Sequence, residues 1–354
     1  GNQNFSSYNT LTTYEFNNWM QNYFGTGVLI SGFGDPDLAW QKTIDFNLGF
    51  DLSVKNRFHV TFDYYRKNTD PLLASIGIPM SVGTTSRLAN IGKQVNEGIN
   101  GTVRYAILYN PSERINWTTS LMFRYNTAYY DKVGDKLDQF NQKNLSKNMT
   151  RYYDGGSPTA LWSVRSAGID PSRGDELFIK KDGTYTYLWD SKDEVIVGDM
   201  TPDMRGNFGL NVRYRKFSFN ATFEYSLGGE KQLTTLMSKV ENISEASLIY
   251  NQDRRALTDR WKTPGQAAKF KRINDNSPTN ISSRFIKTEN MMSLRSMSIG
   301  YDTTTAPFLR PLGLTSMNVR IYANDLFRLS TIKEERGLNY PFSRSFNVSL
   351  GLRF

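Results

Sequence analysis

The amino-acid sequence predicts an all-β fold, the C-terminal portion of a large transmembrane β-barrel with about nine antiparallel strands and long extracellular loops. Segments of about ten residues, the length that a tilted strand needs to cross a membrane, repeatedly alternate apolar and polar side chains. The connections alternate strictly between short turns and long loops, the arrangement of outer-membrane barrels. Aromatic residues make up 14% of the 354 residues, which favours strands and membrane-interface girdles.

Hydropathy and charge exclude several other classes of protein. The mean hydropathy of −0.52 and the lack of any apolar run of about 18 residues exclude membrane-spanning helices. Barrel strands remain allowed because they dilute each apolar residue with a polar one. The formal net charge is +9, but the basic residues are spread along the chain, so no nucleic-acid partner is predicted. The absence of cysteine excludes disulfides and leaves the redox compartment open.

Four hairpins and one terminal strand account for the alternation. Residues 1–38 lack any period and predict an extracellular loop. The predicted strands then cover 44–54, 58–64, 99–109, 115–125, 208–214, 217–225, 292–301, 319–323 and 346–354. The long connections are 67–94, 131–203, 227–287 and 332–342. A one-residue slip between Leu294 and Met297 predicts a β-bulge, and Glu245–Arg260 predicts a helix within a loop.

The parity of the alternation assigns each side chain to one of two faces. The side chains predicted to face lipid include Phe46, Phe50, Phe62, Leu121, Phe219 and Ile299. Those predicted to face inward include Asp45, Thr61, Arg124 and Asn220. Because bacterial single-chain barrels close with an even number of strands, we expect residues 39–354 to be the C-terminal part of a bigger barrel. Its plug and N-terminal strands would then lie outside this chain.

Several segments resemble those of one transporter family. The segment Asp35-Pro-Asp-Leu-Ala-Trp-Gln-Lys-Thr43 is similar to the "NPDLKWEKT" segment of TonB-dependent outer-membrane transporters of the SusC/RagA-like type, found in Bacteroidota. Further matching segments, in order, are 63–73, 90–99, 167–175, 181–183, 258–261, 282–287, 293–301 and 323–327. The matches span nearly the whole chain, so the chain is identified as a member of this family.

This resemblance implies a function and a set of partners. It implies a multi-pass barrel of about 22 strands in the cell outer membrane, with a plugged lumen. The barrel would import a nutrient, an oligosaccharide or a peptide, under a SusD-like lipoprotein lid. TonB would supply energy through the missing N-terminal part, and the wall would contact membrane lipid and lipopolysaccharide. The alternatives are a passive outer-membrane porin and an extracellular adhesin or carbohydrate-binding β-protein, and the upstream sequence would separate the three.

Catalytic chemistry is not indicated. With one His and no Cys, a nucleophilic triad could use only His59, which lies on the polar face of a predicted strand. Metal sites built from His and Cys are excluded by their number. The sequence therefore predicts no enzyme, no metal and no cofactor.

The long loop 131–203 is the candidate ligand- or lid-contacting region. Aromatic faces beside polar groups are what a sugar or peptide ligand requires, although the same aromatics could pack the loop's own core. The candidate residues are Tyr152, Tyr153, Trp162, Asp170, Asp175, Tyr185, Tyr187 and Trp189. The inward arginines Arg104, Arg124, Arg213 and Arg295 could steer acidic groups or pair with carboxylates of the plug and lumen.

The terminal strand is the candidate signal for the outer-membrane insertion machinery. An alternating, aromatic-ended edge strand can add to another sheet by main-chain hydrogen bonding. The side chains that would carry the signal are Phe346, Val348, Leu350, Leu352 and Phe354. The alternative is that these residues only face lipid.

Overall fold

The fold was analysed on a computed structural model that describes residues 10–146, 150–304, 306–333 and 344–354. Among these residues, no helix is both long and apolar enough to span a bilayer. The chain divides into two compact units. One comprises Gly1–Phe46, Tyr65–Glu97 and Ala128–Pro158, and the other comprises Asn47–Tyr64, Gly98–Thr127 and Thr159–Phe354.

Strands dominate the described residues. In chain order they are β1 (Thr13–Asn22), β2 (Gly25–Gly32), β3 (Lys42–Val54), β4 (Phe58–Asp70), β5 (Leu72–Gly77), β6 (Ser86–Ile91), β7 (Lys93–Asn110), β8 (Ile115–Asp131), β9 (Ala160–Ile169), β10 (Glu176–Ile179), β11 (Tyr185–Thr186), β12 (Glu194–Asp199), β13 (Met204–Tyr214), β14 (Phe217–Leu227), β15 (Glu230–Gln232), β16 (Ile286–Thr288), β17 (Met291–Thr303), β18 (Ser316–Ser330) and β19 (Ser345–Arg353). The α-helices are α1 (Asp138–Lys143), α2 (Thr234–Leu236) and α3 (Arg255–Thr258). Short 3₁₀ segments cover Met80–Val82, Gly134–Leu137, Ser191–Asp193, Glu245–Ile249, Ser283–Phe285 and Pro307–Leu312, and a π-helical turn covers Met237–Glu241.

A nine-stranded sheet contains all nine predicted strands. Its order is β19-β18-β17-β14-β13-β8-β7-β4-β3, so strands that follow one another in this set are neighbours. Tight turns connect the hairpins. Lys55 and Asn56 have φ of 49° and 52°, the positive values that a two-residue turn of matching twist requires. The predicted antiparallel architecture is confirmed.

The register of this sheet sorts its side chains by face. One row of cross-strand partners is apolar through six strands: Trp117, Val212, Phe219, Ile299, Ile321 and Val348. The adjacent row, pointing to the opposite face, is polar: Thr118, Asn211, Asn220, Ser298, Tyr322 and Asn347. Asn220 donates to Ser298 at 3.2 Å, so the polar side chains form their own lateral ladder. The predicted parity therefore holds across strands as well as along them.

The apolar face is open to its surroundings. Phe46 is 56% exposed and Ile299 48%, and Phe50 stacks on Phe62 with ring centroids 5.7 Å apart. Exposed apolar rows on one face and polar rows on the other are what a membrane barrel requires. Asp45 adjoins Phe46 in β3 and therefore points to the polar face, as predicted.

The predicted β-bulge is present between β17 and its neighbours. Against β14, the pairing of β17 shifts between Leu294 and Ser296 and leaves Arg295 as the extra residue. Against β18, the shift at the same point sets two residues, Asp325 and Leu326, opposite Arg295. On β18, Asp325 has a φ of 52° at the matching point. The guanidinium of Arg295 reaches the carboxylates of Glu224 and Asp325, so the bulge carries an ion-paired cluster on the polar face.

Two of the predicted loops contain short strands. Within the predicted loop 1–38, β1 pairs with β2 in a hairpin that closes at Gly25, whose φ of 121° suits glycine. In the predicted loop 67–94, β4 continues to Asp70, β5 pairs with β6, and β7 begins at Lys93. The Gly-, Ser- and Thr-rich composition of these stretches concealed their short strands.

The prediction of one continuous helix at Glu245–Arg260 is wrong. A 3₁₀ turn at Glu245–Ile249 ends before a separate helix, α3. The carboxylate of Asp253 accepts the backbone N–H of Arg255 at 2.9 Å. Such a side-chain acceptor is typical of the start of a helix, so it begins a new helix instead of continuing the old one.

Candidate ligand-binding site

Tyr152 packs inside its own segment of the first compact unit. Its ring lies 4.9 Å from that of Tyr130 and 5.8 Å from that of Phe140, next to the buried Val133. Its backbone N–H donates to Asn141 Oδ1 at 2.9 Å. Burial raises the pKa of Tyr152 above its ordinary value. For Tyr152 the alternative of a packing role, which the sequence left open, is therefore the better description.

The other candidates after residue 158 lie on or beside a four-stranded sheet, ordered β11-β10-β9-β12, in the second unit. Trp162 in β9 pairs with Ile196 in β12, and Tyr185 in β11 pairs with Ile179 in β10. The side chain of Tyr185 is 64% exposed. The predicted long loop 131–203 is thus a folded region with its own sheet.

A tight turn holds Asp170 against Tyr187. The carboxylate of Asp170 accepts the backbone N–H of Ser172 at 2.8 Å, and its carbonyl accepts the N–H of Gly174 at 2.8 Å. Tyr187 donates its hydroxyl to Asp170 at 2.5 Å, while the guanidinium of Arg173 lies 4.4 Å from the ring centroid. The bond from Tyr187 lowers the pKa of Asp170, and the same bond raises the pKa of Tyr187.

A cleft of about 220 Å³ brings three of the candidate residues together. Its lining includes Asp175 from the β9–β10 turn and Tyr187 and Trp189 from the β11–β12 connection. Lys271 and Asp275 come from the connection before β16. Phe178, Glu176, Ser277, Pro278, Thr279 and Asn280 complete the lining. Tyr185 and Trp162 are not part of it. The structure therefore assembles a mixed aromatic and polar cleft from segments about 90 residues apart.

The polar groups of both cleft aromatics are occupied by the protein. Trp189 donates its indole N–H to the carbonyl of Ile281 at 3.2 Å, and the Tyr187 hydroxyl bonds Asp170. What these rings offer a ligand is consequently apolar surface. Around them, Asp175 pairs with Arg272 at 3.2 Å, and Lys271 pairs with Asp275 at 3.3 Å. Apolar ring faces within a charged rim suit a ligand that carries apolar surface next to polar or charged groups.

A buried ionic cluster fixes the wall behind the cleft. Arg284 donates to both oxygens of Glu241 at 2.8 and 2.7 Å and to Glu176 at 2.8 Å. Glu176 also accepts from Ser282 at 2.5 Å, and the Glu241 side chain is fully buried. Burial acts to lower the pKa of Arg284, but the bonds to Glu241 and Glu176 more than offset it, so its pKa lies above the ordinary value.

Sequence reasoning missed this cluster, together with Lys271, Asp275 and Asn280. The segment containing Arg284 contributed to the family resemblance, but no spacing rule joins Arg284 to a glutamate 108 residues away. Long-range partners of this kind have no periodic signal.

The comparisons with known proteins agree with this architecture. A family model described as "TonB dependent receptor-like, beta-barrel" matches residues 2–235. The chain belongs to that family. It is 26% identical to TonB-dependent receptor P3 of Formosa agariphila, over 93% of this chain and 36% of that receptor. It is 25% identical to TonB-dependent receptor P39 of the same organism, over 76% of this chain and 30% of the receptor.

Solved structures show the same fold. The chain is similar to the structure of the RagAB peptide transporter with a TM-score of 0.79 and 22% identity, covering 99% of this chain and 39% of that one. A second structure, of the RagAB peptide importer in the "closed-closed" state, also gives 0.79 at 21% identity over the same shares. The chain spans about a third of the length of the curated relatives it matches. The predicted fold class and the predicted membership of the TonB-dependent receptors are confirmed.

Membership of this receptor family places the nine-stranded sheet in the outer membrane, as the alternation predicted. The cleft residues belong to the connections after β8 and β14, which are the long ones in the predicted pattern of short turns and long loops. In the receptor barrel the cleft is therefore built from loop segments, and the membrane wall is built from the hairpins.

The strand proposed for barrel insertion lies at one edge of the receptor sheet. β19 pairs with β18 through Phe346, Val348, Leu350 and Leu352, opposite Ala323, Ile321, Val319 and Met317. In the sheet described here its other edge has no strand partner. Phe354 is 83% exposed.

The single histidine, His59, makes a polar contact between two neighbouring strands. His59 Nδ1 lies 2.8 Å from Ser53 Oγ across the β3–β4 hairpin, a polar contact between neighbouring strands. In the part of the chain that the structure describes, no group of three or more His, Cys, Asp or Glu side chains is arranged to hold a metal ion.

Proposed function

We infer that this chain forms part of an outer-membrane receptor that imports a nutrient, an oligosaccharide or a peptide, with energy supplied through TonB. The observation that carries the inference is an aromatic and polar cleft in the loop region of a TonB-dependent receptor barrel. A receptor needs a site that captures a ligand reversibly, and the cleft offers apolar ring faces within a charged rim. The RagAB structures are named as a peptide transporter and a peptide importer. A peptide is therefore one candidate substrate for the present chain, and an oligosaccharide is the other.

The proposed work is binding and movement, with no bond made or broken. Capture in the loop region would precede displacement of a plug in the lumen. A SusD-like lipoprotein would cover the loops as a lid, and the exposed Tyr185 and Leu188 are available to such a partner. Loop 131–203 would lie on the extracellular side, and β19 would be the strand that the insertion machinery reads, since it lies at a sheet edge.

Energised uptake tests the proposal. Cells that produce the intact protein would be given labelled oligosaccharide and peptide mixtures, with and without a functional TonB and a proton-motive force. We expect uptake to fall to background when either energy component is lost. A passive porin would pass the same solutes in both conditions, so uptake that is independent of TonB would contradict active import.

A pair of point variants connects uptake to the cleft. Trp189→Ala removes a ring from the cleft lining, whereas Tyr185→Ala removes an exposed ring outside it. We expect Trp189→Ala to lower uptake about tenfold and Tyr185→Ala to leave it near wild type, with equal amounts of inserted barrel. Equal uptake by both variants would contradict a ligand-binding role of the cleft.

A further inference from the structure

Two turns that are far apart in the sequence shape the loop cleft. The turn at residues 170–175 contributes Asp175 to the lining, and the turn at residues 271–275 contributes Lys271 and Asp275. The cleft, at about 220 Å³, is smaller than the pockets of about 300–1,000 Å³ that enclose a drug-sized ligand. It therefore has room for a single unit of an oligomer. In a cleft this small, the separation of the two turns decides how well such a unit fits.

Arg260 holds the second of these turns. Its side chain is buried, and its Nε donates to the carbonyl of Lys271 at 3.1 Å. Its Nη2 donates to the carbonyls of Arg272 at 2.8 Å and Asp275 at 3.2 Å. The guanidinium is planar and its N–H donors form a rigid fork, so the three carbonyls that it binds are fixed relative to one another. Arg260 thereby sets the path of the backbone that presents Lys271 and Asp275 to the cleft.

Trp261 holds the first turn. Its indole N–H donates to the carbonyl of Pro171 at 2.8 Å. Its ring lies against Gly174, whose φ of 72° favours glycine and where any side chain would collide with the indole. The carbonyl of Trp261 also accepts the backbone N–H of Ile273, in the second turn, at 3.3 Å. Trp261 therefore contacts both turns, one through its side chain and the other through its backbone.

Arg260 and Trp261 act as one unit because they are consecutive. Consecutive Cα atoms are about 3.8 Å apart, so the residue that holds one turn lies at a fixed distance from the residue that holds the other. The turns also contact each other directly, since the backbone N–H of Arg272 donates to the carbonyl of Gly174 at 2.8 Å and the Arg272 side chain pairs with Asp175 at 3.2 Å. Neither Arg260 nor Trp261 lines the cleft. Residues placed in this way support a binding site by locking the groups that form it.

We propose that Arg260 and Trp261 are positioning residues that set the separation of the two turns and thereby the affinity of the cleft for the imported ligand. The proposal rests on the proposed import function and adds the residues that control its binding site. Both residues act through the turns that they hold, and neither touches the ligand. The segment 258–261, which contributes to the family resemblance, thereby acquires a role in binding.

Spin labels test the positioning without any ligand. The labelling sites are Ser172→Cys in the first turn and Asn274→Cys in the second, both at exposed positions of a chain that contains no cysteine. In the intact, detergent-purified protein, dipolar broadening of the EPR spectrum reports the separation of the two labels, and singly labelled proteins provide the reference. We expect Trp261→Ala to reduce the broadening, because the first turn loses its anchor. The matched control, Leu257→Ala, removes a side chain of α3 that is 60% exposed and should leave the spectrum unchanged.

Two conservative variants separate the individual contacts. Trp261→Phe keeps an aromatic ring against Gly174 and loses the N–H that bonds Pro171, so it should retain more of the broadening than Trp261→Ala. Arg260→Lys keeps the charge and loses the rigid fork, so it should also reduce the broadening. A wild-type spectrum in either Trp261→Ala or Arg260→Lys would overturn the proposal, and so would an equal loss of broadening in Leu257→Ala.

The concentration dependence of energised uptake tests the effect on affinity. The probes are the labelled oligosaccharide and peptide mixtures of the uptake experiment, and rates are expressed per inserted barrel. We expect Trp261→Ala to raise the half-saturation concentration about tenfold and to leave the maximal rate unchanged. Trp261→Phe should give a smaller rise, and Leu257→Ala none. A lower maximal rate at an unchanged half-saturation concentration would overturn the proposal, because a general loss of folded receptor has that effect.

Gly174→Ala tests the contact with the indole from the other side. The new methyl group would collide with Trp261, so we expect the variant to raise the half-saturation concentration. In a Trp261→Ala background the collision is absent, and the same change should add less. Additive effects of the two substitutions would overturn the role assigned to this contact.

The outcome is separable from the test of active import. Reduced broadening in Trp261→Ala, in a receptor whose uptake does not depend on TonB, would support the positioning role and contradict active import. Wild-type broadening in that variant, in a receptor with TonB-dependent uptake, would overturn the positioning role and leave active import standing.

Discussion

The hairpins of the nine-stranded sheet and the cleft region after β8 and β14 are held together in different ways. In the sheet, each hairpin follows the pattern of β13 and β14, which pair residue by residue around a two-residue turn, so partners within a hairpin are close in sequence. In the cleft region, Arg284 reaches Glu176 across 108 residues, and Trp189 reaches the carbonyl of Ile281 across 92. One region repeats a local rule, whereas the other depends on a few specific distant contacts.

The difference shows where each region is vulnerable. In the sheet, many equivalent rows of cross-strand pairs contribute to stability. The effect of one substitution therefore depends mainly on whether its side chain faces lipid or the lumen. In the cleft region, one guanidinium forms ion pairs with two buried carboxylates at once. Four pairs of substitutions test this contrast.

The largest effect is expected for Arg284→Ala. It leaves Glu241, whose side chain is fully buried, and Glu176 without their shared cation. Removing one partner of a buried ion pair costs about 3–5 kcal/mol. We expect the cleft region to unfold locally while the strands stay paired. Limited proteolysis between β9 and β17, together with the heat-resistant barrel fraction on gels, would measure both effects.

Arg173→Ala is the control for this experiment. The Arg173 side chain is 58% exposed, and its ion pair with Asp175 at 3.4 Å lies at the surface. Pairs of that kind contribute about 0–1 kcal/mol. Equal protease resistance in the two variants would show that the buried cluster is not what holds the cleft region together.

Opposite faces of one strand provide the second test. Ile299 and Ser298 are adjacent in β17, with Ile299 in the apolar row and Ser298 in the polar row. A charge facing lipid near the bilayer midplane costs about 2–4 kcal/mol, and far less in the lumen. Ile299→Arg should therefore lower the yield of folded barrel in the membrane, whereas Ser298→Arg should not. The reverse order would invert the face assignment of the whole sheet.

The third test asks whether β19 is special within the sheet. Phe354→Ala and Phe46→Ala each remove one exposed ring, at a cost of about 1.5–3 kcal/mol if the only role is apolar contact. If insertion machinery reads β19, Phe354→Ala should reduce surface yield much more than Phe46→Ala, with similar heat resistance of the barrel that does insert. Matching, mild losses in both variants would leave β19 without a recognition role.

The same contrast explains what could be predicted from the sequence. The rows containing Phe219 and Asn220 follow from alternation, because lipid on one face and water on the other impose a period of two. Even the bulge at Arg295 was visible as a slip in that period. The cleft was visible only in part: Tyr187, Trp189 and Asp175 have the right chemistry, but Lys271 and Arg284 join them through tertiary contacts that no local pattern encodes.

The smallest expected effect concerns the turn that holds Tyr187, where a local motif sits inside the irregular region. The bond to Asp170 raises the pKa of the Tyr187 phenol above its ordinary value of 10.0, so less phenolate forms near pH 10. Because tetranitromethane attacks the phenolate, Asp170→Asn should speed nitration at Tyr187 a few-fold, as followed by mass spectrometry of the modified peptide. The same bond lowers the pKa of Asp170, so its contribution to stability is present above the ordinary value of 3.8 and is lost only as the pH falls below it. Asp182→Asn is the matched control, since Asp182 bonds Thr184 in a neighbouring turn and makes no bond to Tyr187. If Tyr187 is nitrated at the wild-type rate in both variants, the contact with Asp170 does not control the reactivity of the Tyr187 phenol. The turn would then tolerate substitution as well as a row of the sheet does.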